Sequence, residues 1–290
     1  MKTSGNRLLT FLEMIKFEHS IFALPFAYLG LVVAEQNIPR GFLIFWVTLA
    51  MVSFRTMAMA LNRLIDAKID AENPRTSNRA IPAGKLTSSF VWTVAVFSLI
   101  VFECSCFKLG PLCVYLSPVP ISLAFLYPFT KRITWLSHLV LGMVLGIAPY
   151  GAWLAARPVF SWVPGFISLG VITWVTGFDI IYALQDETFD RGYGLKSIPS
   201  RFGYDFSLQL TRALHVATIL FWLLAGYLAN LRGAYLIGML IAAALLVREH
   251  WLIRSFKMEK IQEAFFSMNA LISLVAFISF FIDSMHLRSR

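Results

Sequence analysis

Apolar runs long enough to cross a bilayer recur along the whole of this 290-residue chain, with short charged segments between them. Hydrocarbon offers no partner to an exposed backbone N–H or C=O, so such a chain must fold as helices or as a closed barrel. A barrel would show strands of about 10 residues with alternating polarity. The runs here are continuous, which predicts an all-α, polytopic membrane protein. Composition agrees, at 58% hydrophobic and 14% charged, against roughly half and a quarter in soluble domains. Nine spans are expected, near 19–35, 42–62, 90–108, 111–128, 134–154, 162–184, 208–229, 232–248 and 264–284. At about 20 residues each they use most of the chain, so residues 1–290 are expected to form a single transmembrane domain. The preceding segment "RLLTFLEMIKF" (7–17) has apolar residues at helical spacing and is expected as an interfacial helix. No small-residue cleavage site follows a short apolar core, which argues against a cleaved signal peptide.

The formal net charge of +9 raises nucleic acid as a partner, but its distribution argues for none. Eighteen of the 25 Lys and Arg fall at the N-terminus or in the loops after the second, fourth, sixth and eighth spans. Six fall on the other side, and Arg55 lies within a span. An excess of cations marks the cytoplasmic side, so the N-terminus is expected inside and the C-terminus outside. The three cysteines, Cys104, Cys106 and Cys113, cluster near the turn after the third span without a His or carboxylate partner. They read as small packing residues, with an outer disulfide as the alternative.

Two segments break the apolar pattern with carboxylates. "ALNRLIDAKIDAENPRTSNRAIPAG" (60–84) ends the second span, and "GFDIIYALQDETFDRGYGLKSIPSRFG" (177–203) ends the sixth. Asp179, Asp186 and Asp190 stand at i, i+7 and i+11, which on a helix share one face to within about 20°. Arg55, Asn62 and Asp66 repeat that relation, and Asp70 adds one more turn. Two such sets at the cytoplasmic ends of even-numbered spans suggest a pseudo-repeated core whose second and sixth helices face each other. Hard divalent cations take oxygen ligands, and Mg²⁺ is commonly held by one or two carboxylates plus substrate phosphates. Asn62 can add an amide oxygen. Arg75, Arg79, Lys131, Arg132 and Lys196, in the same loops, would offset phosphate charge. Intramembrane ionisable groups are costly and point to function.

These residues resemble the UbiA-type intramembrane aromatic prenyltransferases. That family carries an NDxxDxxxD motif after its second helix and DxxxD after its sixth, with nine helices around a central cavity that opens to lipid. The first motif reads here as Asn62-Arg63-Leu64-Ile65-Asp66-Ala67-Lys68-Ile69-Asp70, followed by "RTSNRAIPAG". The second reads Asp186-Glu187-Thr188-Phe189-Asp190, followed by "LKSIPSRFG". "YPFTKR" (127–132) matches the family's segment between its fourth and fifth helices. Arg63 stands where the family usually has its first Asp. The start, "KFEHSIFALPFAYLG", is similar to the 4-hydroxybenzoate polyprenyltransferase branch, which includes enzymes acting on 1,4-dihydroxy-6-naphthoate.

The resemblance implies Mg²⁺-dependent transfer of a polyprenyl group from an isoprenoid diphosphate to such an aromatic acid, in ubiquinone or menaquinone biosynthesis. It implies a bacterial inner membrane, with the active site facing the cytoplasm. Matched to the motifs, Asn62, Asp66, Asp70, Asp186 and Asp190 would hold metal, with Asp66 and Asp190 essential to turnover. Arg75, Lys131, Arg132 and Lys196 would bind diphosphate. Arg55, two turns below Asn62, is a candidate clamp for the acceptor carboxylate. Asp179 either orients or deprotonates the phenol, or pairs with Arg55. Tyr127 either lines the cavity or stays at the interface. A secondary transporter of an anionic solute is the alternative, but its sites lie at mid-membrane on broken helices, whereas "RLIDAKID" has no Gly or Pro. A phosphatidyl-alcohol transferase would need a DGxxAR signature, which is absent.

Overall fold

Helices form the whole framework of the computed structural model, which describes residues 6–17, 20–256 and 267–288. A short helix leads in, α1 (Arg7–Met14), its start capped by Asn6, whose side chain accepts from the Leu8 N–H. Its Phe11 and Met14, with Ile15 just past its end, are buried against Ala60, Leu86 and Val91. Then follow α2 (Ser20–Glu35), α3 (Gly41–Ile65), the short α4 (Ala67–Glu72), α5 (Ser88–Leu109), α6 (Pro111–Leu116) and α7 (Pro118–Ile133). The second half holds α8 (Ser137–Ala156), α9 (Trp162–Ala183), α10 (Glu187–Tyr193), α11 (Ile198–Leu228), α12 (Gly233–Phe256) and α13 (Asn269–Arg288).

Among the described residues, eight helical stretches are long and apolar enough to cross a membrane, where nine were expected. The difference lies at the first expected span, whose apolar helical stretch, Leu24–Glu35, is shorter. Residue 19 of that span, residues 264–266 of the ninth, and Lys2, Lys257, Lys260 and Arg290 lie outside the described residues. Side chains such as Phe97, Leu240 and Val247 are exposed on the outer faces, where acyl chains are their solvent. The cysteines are free thiols, and Cys106 is buried in an apolar cluster with Phe54 and Phe102.

Helices approach closely where small residues allow it. A Cβ on Gly142 of α8 would stand 2.6 Å from the Ile172 carbonyl oxygen of α9, and one on Gly146 would stand 2.4 Å from Ile172 Cγ1. Inside, the Phe26 ring of α2 lies 5.1 Å from Trp174 and 5.5 Å from Trp222. A buried polar chain ties α9, α12 and α13 together. Trp174 Nε1 donates to Asn269 Oδ1 at 2.8 Å, and Asn269 Nδ2 to Glu249 Oε1 at 3.4 Å.

Both acidic segments depart from the expected continuous helices. Helix α3 stops at Asp66 (φ −90°, ψ 0°) and the chain resumes as α4. Between α9 and α10 the chain runs through a 3₁₀ turn, Leu184–Asp186. At three residues per turn this turn winds about 60° further than an α-helix would, so Asp186 and Asp190 are re-aimed relative to Asp179. Ser197 then caps α11 through reciprocal bonds with Ser200, and Gly203 (φ 80°) kinks that helix near its start.

Candidate active site

Between the α3–α4 junction and the α9–α10 junction lies a cavity of about 870 Å³. Asn62, Asp66 and Asp70 line one side and Asp179, Asp186 and Asp190 the other. Deeper in, its wall becomes apolar, with Phe54, Phe102, Leu116, Val144 and Trp174 among its residues.

The first segment is buried and heavily paired. Asp66 is 2% exposed and Asp70 4%. Lys131 Nζ of α7 donates to Asp66 Oδ2 at 2.5 Å, and Arg132 Nη2 donates to Asp66 Oδ1 at 3.2 Å. Asn62 Nδ2 also donates to Asp66 Oδ2, at 3.3 Å. Burial nevertheless raises the Asp66 carboxyl above the usual carboxylate range, against the pull of Lys131. Arg79 Nη1 donates to Asp70 Oδ1 at 2.7 Å. The other oxygen, Asp70 Oδ2, is buried with no hydrogen-bond partner, and Arg63 Nη1 stands 3.8 Å away. Where the family pattern has its first Asp, Arg63 therefore adds positive charge beside Asp70.

The loop after α4 reaches across the cavity mouth to the second segment. Asn73 Nδ2 and Arg75 Nε both donate to Asp186 Oδ1, at 3.0 and 2.8 Å, and Arg75 Nη2 bonds the second oxygen. Arg75 Nη1 donates to the Tyr182 hydroxyl at 3.1 Å, and the guanidinium lies 5.3 Å from that ring's centroid. Burial alone would lower the Arg75 guanidinium, but the bonds and charge of Asp186 outweigh it and raise it. Such a fork-to-carboxylate contact has the geometry that also suits a phosphate.

Arg55 lines the cavity, and its guanidinium donates to the carbonyls of Ile15 (3.2 Å) and Lys16 (2.9 Å) just past α1. A helix C-terminus carries unsatisfied carbonyls and partial negative charge, so a cation docks there readily. Asp179 bonds His138 Nδ1 of α8 at 2.7 Å. Tyr127 lines the cavity from α7. Arg132 and Lys196 do not form part of the cavity wall. Arg132 sits behind Asp66 and also donates to the Ile65 carbonyl at 3.0 Å. Lys196 Nζ donates to the Ile133 carbonyl at 3.0 Å, and its backbone N–H donates to the Lys131 carbonyl at 2.7 Å. Both therefore stand where they hold the Lys131 segment in place.

Asn73, Tyr182 and His138 also line the cavity, outside the motifs that mark the site in the sequence. Tyr182 stands three residues after Asp179 and four before Asp186, a helical spacing that would have flagged it. Asn73 lies three residues past Asp70. His138 carries no local signal, because its partner is 41 residues away in sequence.

Among the described residues no three His, Cys, Asp or Glu side chains already converge to hold a metal. The donor set still fits a hard cation: carboxylates and an amide, one buried oxygen without a partner, and flexible cations that can swing from carboxylate to phosphate.

Residues 23–275 match the UbiA prenyltransferase family. A 4-hydroxybenzoate octaprenyltransferase of Vibrio campbellii is 32% identical over 244 residues, covering 83% of this chain and 84% of that protein. One from Tolumonas auensis is 29% identical, covering 82% of each. Among solved structures, the apo UbiA homolog from Aeropyrum pernix K1 superposes with a TM-score of 0.83 at 28% identity, covering 92% of this chain and 98% of that one. A UbiA homolog from Archaeoglobus fulgidus bound to DMAPP and Mg²⁺ shares the fold, with a TM-score of 0.73 at 17% identity, over 93% and 99% of the two chains.

Proposed function

The chain belongs to the UbiA prenyltransferase family, and from that premise we propose that it transfers a polyprenyl group from an isoprenoid diphosphate to an aromatic acid in respiratory quinone biosynthesis. The acceptor is 4-hydroxybenzoate or 1,4-dihydroxy-6-naphthoate. The observation that carries this reading is the arrangement of two acidic segments across the mouth of one apolar cavity, joined through Arg75 and Asp186.

Asn62, Asp66 and Asp70 on one side, with Asp186 and Asp190 on the other, would hold Mg²⁺. When bound, it would take up the negative charge that grows on the diphosphate as the C–O bond breaks. Arg75 and Lys131 are each engaged by a carboxylate and stand ready to turn toward diphosphate oxygens. Arg132 and Lys196 support the Lys131 segment from behind. The cavity walls, Phe54, Phe102 and Trp174 among them, keep water from the allylic cation and receive the prenyl chain. An electron-rich ring beside Asp179 then attacks the allylic carbon. Arg55 at the same depth, seven residues from Asn62 or about 10 Å along the helix, would receive the acceptor carboxylate. The polar mouth faces the cytoplasm of a bacterial inner membrane.

Purified protein in lipid, given Mg²⁺ and an allylic diphosphate, should release diphosphate and prenylate either acid. Absence of prenylated product from both acids would overturn this reading. A transporter would instead move the acid across a vesicle membrane without consuming diphosphate.

A further inference from the structure

His138 sits at the cytoplasmic end of α8, 4% exposed, and forms part of the cavity wall with Asp179. Its two ring nitrogens face groups of fixed character. The Ile198 N–H, at the start of α11, points at Nε2 from 3.5 Å. A backbone N–H can only donate, so Nε2 is the acceptor and the hydrogen of the neutral ring sits on Nδ1. Nδ1 lies 2.7 Å from Asp179 Oδ2. The Asp179 side chain keeps 18% exposure, and among the described residues its Oδ1 makes no hydrogen bond. One carboxylate oxygen is therefore pinned while the other is left to the cavity. Gly142 brings α8 against α9 one turn further along, which fixes the distance between the two partners. Tyr127 of α7 lies within electrostatic reach of Asp179, of Arg63 of α3 and of Asp66 just past its end. Asp190 of α10 lies within such reach of His138.

We propose that His138 is a positioning residue for proton transfer: it donates to Asp179 Oδ2, orients the carboxylate, and leaves Oδ1 to take the phenolic proton of the acceptor. This rests on the reading of the acceptor as a hydroxylated aromatic acid. The allylic C–O bond breaks with its pair going to diphosphate, and a ring pair forms the new C–C bond. The phenolic O–H pair closes to C=O as the proton moves to Asp179, which gives a neutral dienone. The ring C–H proton then leaves to diphosphate, and Asp179 returns its proton to the oxygen. The net change is one proton delivered to diphosphate.

The test compares His138→Leu and His138→Asn, whose amide can reproduce the Nδ1 donor, on the phenolic acid and on its O-methyl ether. His138→Leu should lower kcat about 10–100-fold, the scale of an outer-shell partner, with both KM values near wild type. His138→Asn should restore most of the rate. The ether has no proton to give, so wild type and His138→Leu should process it equally slowly. If the Leu variant does not fold, His138→Gln, whose amide does not reach the Nδ1 position, replaces it. A normal kcat in the Leu or Gln variant, an Asn variant no better than Leu, or an equal loss on the ether would overturn the proposal. Wild-type protein that prenylates neither acid would overturn the proposed function, whereas an active wild type indifferent to His138 overturns the positioning role alone.

Discussion

Asp66, Asp70 and Asp186 each meet a cation in this structure: Lys131 and Arg132, Arg79, and Arg75 respectively. If these carboxylates hold metal as proposed, turnover exchanges those partners, and losing a carboxylate costs more than one salt bridge. Asp66→Ala and Asp190→Ala should each remove most prenyl transfer while the protein still folds and elutes as wild type. Near-normal rates in either purified variant would rule out a shared metal site. Chelation should likewise stop diphosphate release, and Mg²⁺ should restore it. Arg55→Lys retains the charge but loses the planar fork, so the KM for the acid should rise while that for the prenyl diphosphate stays near its wild-type value. Because Arg55 also holds the end of α1 through the Ile15 and Lys16 carbonyls, an acceptor analogue without its carboxylate is the cleaner probe. Equal kcat/KM for acid and analogue on the wild-type protein would remove the clamp. At this scale the sequence showed the acidic sets, because hydrophobic surroundings make charges conspicuous. It did not show where the cations stand, since Lys131 and Lys196 are both basic residues near the ends of spans and only packing sets Lys131 in the cavity wall and Lys196 outside it.

The helices themselves were legible as unbroken apolar runs, and their breaks were not. The sequence around Asp66 holds neither Gly nor Pro, yet α3 ends there, and Arg132 takes the Ile65 carbonyl at 3.0 Å. A tertiary partner for one backbone oxygen is invisible to local propensity. The 3₁₀ turn at Leu184–Asp186 likewise has no breaker residue, and Asp186 is held by Asn73 and Arg75 from another loop. Packing between α8 and α9 should be the most sensitive contact, because it sets both the core and the site. Gly142→Val would drive a side chain into the Ile172 carbonyl 2.6 Å away, an overpacking that costs about 1–3 kcal/mol. Thermal unfolding in detergent, followed by tryptophan fluorescence, should show a lowered Tm together with slower turnover. Gly165→Ala, whose nearest neighbour would be 3.7 Å away, should leave both unchanged. A Gly142→Val protein as stable as wild type would mean that the two helices are not in tight register.

For the whole molecule the number of crossings decides on which side residue 288 lies relative to residue 6. α2 has 16 residues, or about 24 Å at 1.5 Å per residue, short of a hydrocarbon core of about 30 Å. Its depth explains its length. The carbonyls just past α1 bond Arg55, which lies fourteen residues from the start of α3 at Gly41 and ten from its end at Ile65. The lead-in segment therefore enters the bundle about 15 Å below the acidic end of α3, and α2 has only about 21 Å left to cover before Gly41. We propose that α2 crosses in full, which with the eight longer stretches would place residues 6 and 288 on opposite sides. Among the described residues, the acidic mouth lies at the end that carries most of the Lys and Arg. Exposed aromatics, Tyr115, Trp162 and Tyr227, gather at the opposite end of their helices, where an interfacial belt is expected. Positive charge marks the cytoplasm, so residue 6 should lie inside and residue 288 outside. A phosphatase reporter that folds only outside the cytoplasm should be active when fused after Arg290, and a reporter that fluoresces only in the cytoplasm should be dark there. The converse pair of signals would mean that α2 turns back within the membrane, and that the cavity's lead-in helix lies on the same side as the end of α13.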